Sequence, residues 1–128
     1  MTYTNVFSGF SVSDLKKAQA FYTDILGLTV TDNKGMGLEL HLPPGGSVFI
    51  YEKPNHIPAT FTILNFEVEH IDQSIDELTQ KGLAFIHYDN LPVSQDAKEI
   101  LRGKASGHGP DIAWFIDPAG NILSVSEN

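Results

Sequence analysis

The 128-residue sequence contains no cysteine. That absence excludes disulfides, thiolate metal sites and a thiol nucleophile together. Positive charge is also scarce, with 8 Lys and Arg against 16 Asp and Glu and a formal net charge of −8. So acidic a surface repels phosphate backbones and anionic headgroups, and neither nucleic acid nor membrane is expected as a partner. No apolar run approaches the roughly 20 residues of a membrane span. The opening "MTYTNVFSGF" lacks a basic region followed by an apolar stretch, so no signal peptide is expected. These features fit a soluble, cytoplasmic protein. Familiar catalytic signatures are missing too: there is no HExxH and no G-x-S-x-G, and "GMG" and "PPGG" read as turns rather than phosphate loops.

What is present is an ordinary globular composition, 41% hydrophobic, in a length that suits one domain. The most informative pattern is a weak internal repeat. "FSVSDLKKAQAFYTDILGL" (10–28) and "FEVEHIDQSIDELTQKGL" (66–83) each run from an F-x-V strand end through a polar turn and a helix to a Gly-Leu exit. Two copies indicate a duplicated module, 1–56 and 57–128, rather than a solenoid. In the first helix Ser13 or Asp14 is the expected N-cap, Leu15, Ala18, Tyr22 and Ile25 form one face, and Gly27 ends it. In the second, Asp72 is the expected cap, Ile75 and Leu78 the buried face, and Gly82 the end. Strands are expected over 37–42, 47–53, 58–68 and 84–88, followed by the hairpin "DIAWFI", "DPAGN", "ILSVS". Between Tyr88 and Pro110 lies a polar segment, read as a flexible loop over about 88–110, with a possible short helix at "DAKEIL" and three of the basic residues, Lys98, Arg102 and Lys104. Such a segment is either a binding lid or a solvated excursion.

A β-α-β-β-β unit run twice, with "SDL", "AFY" and "LGL" in the first half and "DPAGN" near the end, resembles the vicinal oxygen chelate superfamily. That group includes glyoxalase I, bleomycin-resistance proteins, fosfomycin-resistance enzymes and extradiol dioxygenases. The resemblance spans essentially the whole chain. It implies an α+β fold in which two tandem βαβββ modules form a curled eight-stranded mixed sheet around a cavity, with helices packed outside and homodimers common.

The metal enzymes of that superfamily carry four His, Gln or Glu ligands on the inner faces of four strands. The resemblance places those positions at Phe7, seven residues before Asp14; near Ile50, or Glu52 if the alignment slips; at about Ile63; and at Ser124, seven residues after Asp117. Phe, Ile and Ser are not useful ligands for Ni, Zn, Fe or Mn. No cofactor is therefore expected, and the pattern resembles the bleomycin-resistance branch, which binds without chemistry. Strand parity sets Trp114 opposite Ser124 and Ile116 opposite Ile122. The expected lining of an apolar, aromatic pocket for a small organic molecule is then Phe7, Ser11, Ile50, Glu52, Ile63, Ile112, Trp114 and Ser124. The competing reading is that these side chains merely fill a closed barrel. A third alternative is a lyase or isomerase of glyoxalase type, or a dioxygenase-like enzyme, using metal-free acid–base chemistry or a divalent metal on displaced ligands from Glu39, His41, Glu52 and His56.

Overall fold

In a computed structural model describing residues 1–128, the chain divides into two compact units, Met1–Pro58 and Ala59–Asn128. Each has the strand and helix order βαβββ, with one extra helical turn between the second and third strands of the second unit, so the α+β class and the tandem arrangement are as the sequence predicts. The eight strands form two four-stranded mixed sheets, one in each unit.

In the first unit β1 (Ser8–Val12), β2 (Thr29–Asp32), β3 (Leu38–Leu42) and β4 (Gly46–Glu52) lie in the order β1-β4-β3-β2, with β1 and β4 parallel. Helix α1 (Leu15–Ala20) is capped by Asp14, whose carboxylate accepts Lys17 N at 3.1 Å. It continues into a π-helical turn, Phe21–Ile25, where Leu26 N donates to Phe21 O. Gly27 follows at φ 70°, the left-handed exit predicted for it. Alternation along β3 and β4 sends Leu38, Leu40, Val48 and Ile50 into a core with Val12, Ala18, Phe21 and Tyr22. Tyr22, on the expected helix face, is fully buried and packs edge-on to Phe21.

In the second unit β5 (Thr62–Glu67), β6 (Leu101–Arg102), β7 (Asp111–Ile116) and β8 (Ile122–Glu127) lie in the order β5-β8-β7-β6. Helix α2 (Ile71–Gln80) buries Ile71 and Ile75, while Leu78 is only half-buried. Its N-cap is His70, not Asp72, and His70 makes no capping bond. The orphan N–H of Ile71 is taken instead by Glu127 Oε2 at 2.9 Å. Ala113, Phe115, Leu123 and Val125 complete the core.

Two expected elements are absent. Residues 84–88 are not a strand, although Ile86 N donates to Trp114 O. The buried Gln95 carboxamide occupies their backbone instead, accepting from Tyr88 N at 2.7 Å and donating to Ile86 O at 2.8 Å. The short edge strand β6 pairs with Asp111 and Ile112, the first residues of β7. "DAKEIL" is likewise not a helix: Asp96 Oδ1 accepts the N–H groups of Lys98 and Ile100, and Glu99 adopts φ 64°. An aspartate that satisfies backbone donors locally gives a turn in place of a helical start. The one-turn helix α3 (Gly103–Ser106) follows β6.

Candidate functional site

Each sheet packs one face on its helix, and several of the candidate residues, Trp114 and Ser124 among them, lie on the other face. In the second unit the hairpin register is as parity predicts: Trp114 pairs with Ser124, Ile116 with Ile122 and Ile112 with Ser126. On the other side of β8, Asn65 pairs with Ser124. A row Trp114, Ser124, Asn65 therefore crosses three strands. Ser124 is fully buried and its hydroxyl donates to Asn65 Oδ1 at 2.6 Å. No imidazole or carboxylate takes that proton, so the pair is not a nucleophile with its base. Ile63 falls at a register irregularity between Thr62 and Leu64 and has no partner in β8, leaving the place opposite Ser124 to Asn65.

Trp114 is half-buried and meets Tyr88 edge-to-face, ring centroids 5.3 Å apart and planes at 83°. Together with Phe61, Leu91 and Ile122 they wall an open hollow of about 270 Å³, with Thr60, Thr62 and Asn90 as its polar points. Phe61 is 67% exposed there, a large apolar ring left in water. Phe61 and Tyr88 belong to segments expected as strands, 58–68 and 84–88, but both lie outside the strands of the structure, as does Leu91, so no cross-strand register set them beside Trp114. The one available signal was the aromatic ending of "AFIHY".

The first unit places its candidates on opposite sides of the sheet. Gly9 registers against Phe49 and Ser11 against Tyr51, whereas Phe10 faces Ile50 and Val12 faces Glu52. Ile50 thus lies on the helix-covered face, fully buried, and does not share a lining with Ser11. The strand-4 residues on the open face are Phe49 and Tyr51, stacked with centroids 6.2 Å apart. Phe7 is 61% exposed and lines a hollow of about 240 Å³ with Asn5, Asn33, Glu39, Ser47 and Phe49. Ser11 Oγ and His56 Nδ1 share a 2.6 Å hydrogen bond that ties the 53–56 turn to β1.

Glu52 has a structural task. Its Oε1 accepts Leu15 N at 3.0 Å, at the N-terminus of α1. Glu127 does the same for α2, so the last strand of each module ends in a carboxylate that satisfies the first helical N–H. Lys104 donates to Glu127 as well, and the Ile71 N–H and then that ammonium hold its carboxyl below the usual range. The basic segment is similarly committed. Arg102 makes a bidentate pair with Asp72 at 2.8 and 3.0 Å and donates to Asp96 at 2.9 Å, while Lys98 reaches Asp76 at 2.9 Å. The Arg102 guanidinium lowers the Asp72 carboxyl to about 2. These cations are neutralised within the unit rather than presented to an anion.

A divalent metal of the kind the resemblance implies does not fit these donors. The assigned positions are an exposed phenyl ring, a core isoleucine or a helix-capping Glu52, a bulge isoleucine, and a serine bonded to an amide. Nowhere are three or more His, Asp or Glu side chains grouped to hold a metal ion. Glu39 and His41 share the open face of β3, but His41 Nε2 is bonded to Thr31 Oγ1 at 2.7 Å.

No curated protein sequence matches the chain. Among solved structures, a glyoxalase-family protein from Bacillus anthracis superposes with a TM-score of 0.68 at 20% identity, over 100% of this chain and 98% of that one. TnmS3, an antibiotic binding protein from Streptomyces sp. CB03234, gives 0.66 at 21% identity over 99% and 98%. A lactoylglutathione lyase from Agrobacterium tumefaciens gives 0.65 at 19% identity over 100% and 96%. At such identities these likenesses establish the fold. The family model described as Glyoxalase/Bleomycin resistance protein/Dioxygenase superfamily matches residues 5–125, and the chain belongs to that superfamily.

Proposed function

We propose that the protein binds and sequesters a small, flat, largely apolar organic molecule, as a cytoplasmic homodimer and without metal chemistry. The observation that carries this reading is the Trp114–Tyr88 pair and Phe61 around an open hollow. Trp114 is the cross-strand partner of Ser124, the position where the resemblance would put a ligating carboxylate. Aromatic walls offer stacking and edge contacts worth about 0.5–1.5 kcal/mol each beyond their buried area. Thr60, Thr62 and Asn90 supply the few polar points that orient such a ligand. The antibiotic-binding neighbour TnmS3 is a precedent for a binding role in this fold; the lyase neighbour is the precedent for the alternative.

Trp114 is the single tryptophan, so its emission is a direct reporter. Titration with a panel of neutral aromatic compounds is expected to find one that changes Trp114 emission saturably. Tyr88→Ala weakens that compound roughly tenfold or less, in line with one lost aromatic contact. Trp114→Phe abolishes the optical signal while the protein still folds. Saturable binding seen by calorimetry with the Trp114 spectrum unmoved would remove the ligand from this hollow and overturn the reading.

A further inference from the structure

The first unit carries a hollow of different chemistry. Glu39 faces it from the middle of β3, half-buried, and its carboxylate makes no hydrogen bond or ion pair within the protein. The buried or half-buried carboxylates of Asp96, Asp111, Asp117 and Glu127, by contrast, each accept a backbone N–H. Around Glu39 stand Asn5, Asn33 and Ser47, whose side chains are also without internal partners, and the rings of Phe7 and Phe49. A second hollow of about 410 Å³ continues past Glu39, Asn5 and Ser47 toward His41 and the 45–46 turn. Glu39 therefore lies on the wall common to both, where a ligand entering either would meet it.

From this arrangement we propose that the open face of the first unit is a site for an organic cation, an arylalkyl primary ammonium. The ammonium has three donors and no acceptor. Glu39 opposes its charge, while the Asn5 and Asn33 carbonyl oxygens and the Ser47 hydroxyl are acceptors for the remaining N–H bonds. Phe7 and Phe49 present ring faces and edges to the hydrocarbon, and a cation near a phenyl face gains a further attraction from the ring quadrupole. No lysine or arginine lines either hollow to compete for the carboxylate. The net charge of −8 raises the local concentration of cations and not of anions. Its residues all belong to Met1–Pro58, and its ligand class is set by a charge that the residues of the Trp114 hollow lack.

The test compares 2-phenylethylamine with 2-phenylethanol, which keeps the ring and replaces the charge. Calorimetry at pH 7 and low salt is expected to favour the amine about tenfold, with the preference shrinking at high salt. Amide resonances of Glu39, Ser47 and Phe49 shift with the amine in ¹⁵N-labelled protein. Glu39→Gln, a change on a partly solvated strand face, abolishes the preference while leaving the melting temperature near the native value. Phe49→Leu weakens amine and alcohol alike. Equal affinity for the two compounds, an undiminished amine preference in Glu39→Gln, or no binding of the amine up to 10 mM (about −3 kcal/mol) would each overturn the inference. The Trp114 titration stands or falls separately, because its probes are neutral.

Discussion

Asp117 is a carboxylate with 2% of its surface exposed, and such a charge survives burial only when its oxygens are fully used. Here Oδ1 accepts Ala119 N at 2.8 Å and Asn121 N at 2.9 Å, and Oδ2 accepts Asn121 Nδ2 at 3.0 Å. Gly120 closes the loop at φ 83°. Asp117→Ala leaves these donors without acceptors and is expected to cost about 2–4 kcal/mol in urea denaturation, with Asp117→Asn costing about half as much. A loss below about 1 kcal/mol for the alanine variant would mean that the carboxylate does not organise the turn. That turn also explains which residues could be placed from sequence. A five-residue loop sets the register of its own hairpin, so Trp114 opposite Ser124 was legible. No turn joins β1 to β4, whose parallel pairing brings together residues some 40 apart, and Ile50 was consequently put on the wrong side of the sheet. The irregularity at Ile63 has no signature of its own in "TFTILNF", and Asn65, the true neighbour of Ser124, went unseen with it.

At the scale of elements, the two modules solve the same helix-capping problem in the same way. Glu52 and Glu127 stand at the ends of β4 and β8, and each takes the first N–H of the helix that follows the neighbouring parallel strand. The repeat was readable in its helices and missed here, because a lone Glu ending a strand resembles any solvated charge. Glu52→Gln and Glu127→Gln are each expected to lower the thermal midpoint by roughly 3 °C, and the double variant by about the sum, since the caps lie in separate units. An unchanged midpoint in both single variants would show the two bonds to be incidental. The segment between Tyr88 and Pro110 is pinned to α2 through Arg102 and Asp72. With its folded carboxyl at about 2 against an ordinary 3.8, Asp72 contributes stability that is fully present above about pH 4 and fades as pH falls through 2. Solvent screening at this half-exposed pair limits the contribution to about 1 kcal/mol. The stability gap between the native protein and Arg102→Gln should therefore be constant from pH 5 to 7 and narrow toward pH 2. A gap that persists unchanged at pH 2 would assign the effect of Arg102 to packing of its stem.

For the whole molecule, the order of elements was the most legible property, since a duplicated β-α-β-β-β pattern leaves few alternatives even where 84–88 and "DAKEIL" depart from it. The fold nevertheless underdetermines the chemistry, and the donor set has to decide. Linkage turns that decision into a thermal measurement. A divalent ion bound to the native state with a dissociation constant of 10 µM, supplied at 1 mM, stabilises by about 2.7 kcal/mol. For a chain of this length that corresponds to a rise of roughly 10 °C in the thermal midpoint. With Phe7, Ile63 and Ser124 at three of the four assigned positions and Glu52 held by Leu15 N, Ni, Zn, Mn and Fe(II), the last under anaerobic conditions, should each move the midpoint by less than about 2 °C. Elemental mass spectrometry of the untagged protein should find no stoichiometric metal. A large shift with one ion would instead point to the open face of β3. In that event Glu39→Gln and His41→Ala, rather than any change at Ser124, should abolish the shift, and the glyoxalase-type reading would regain its metal.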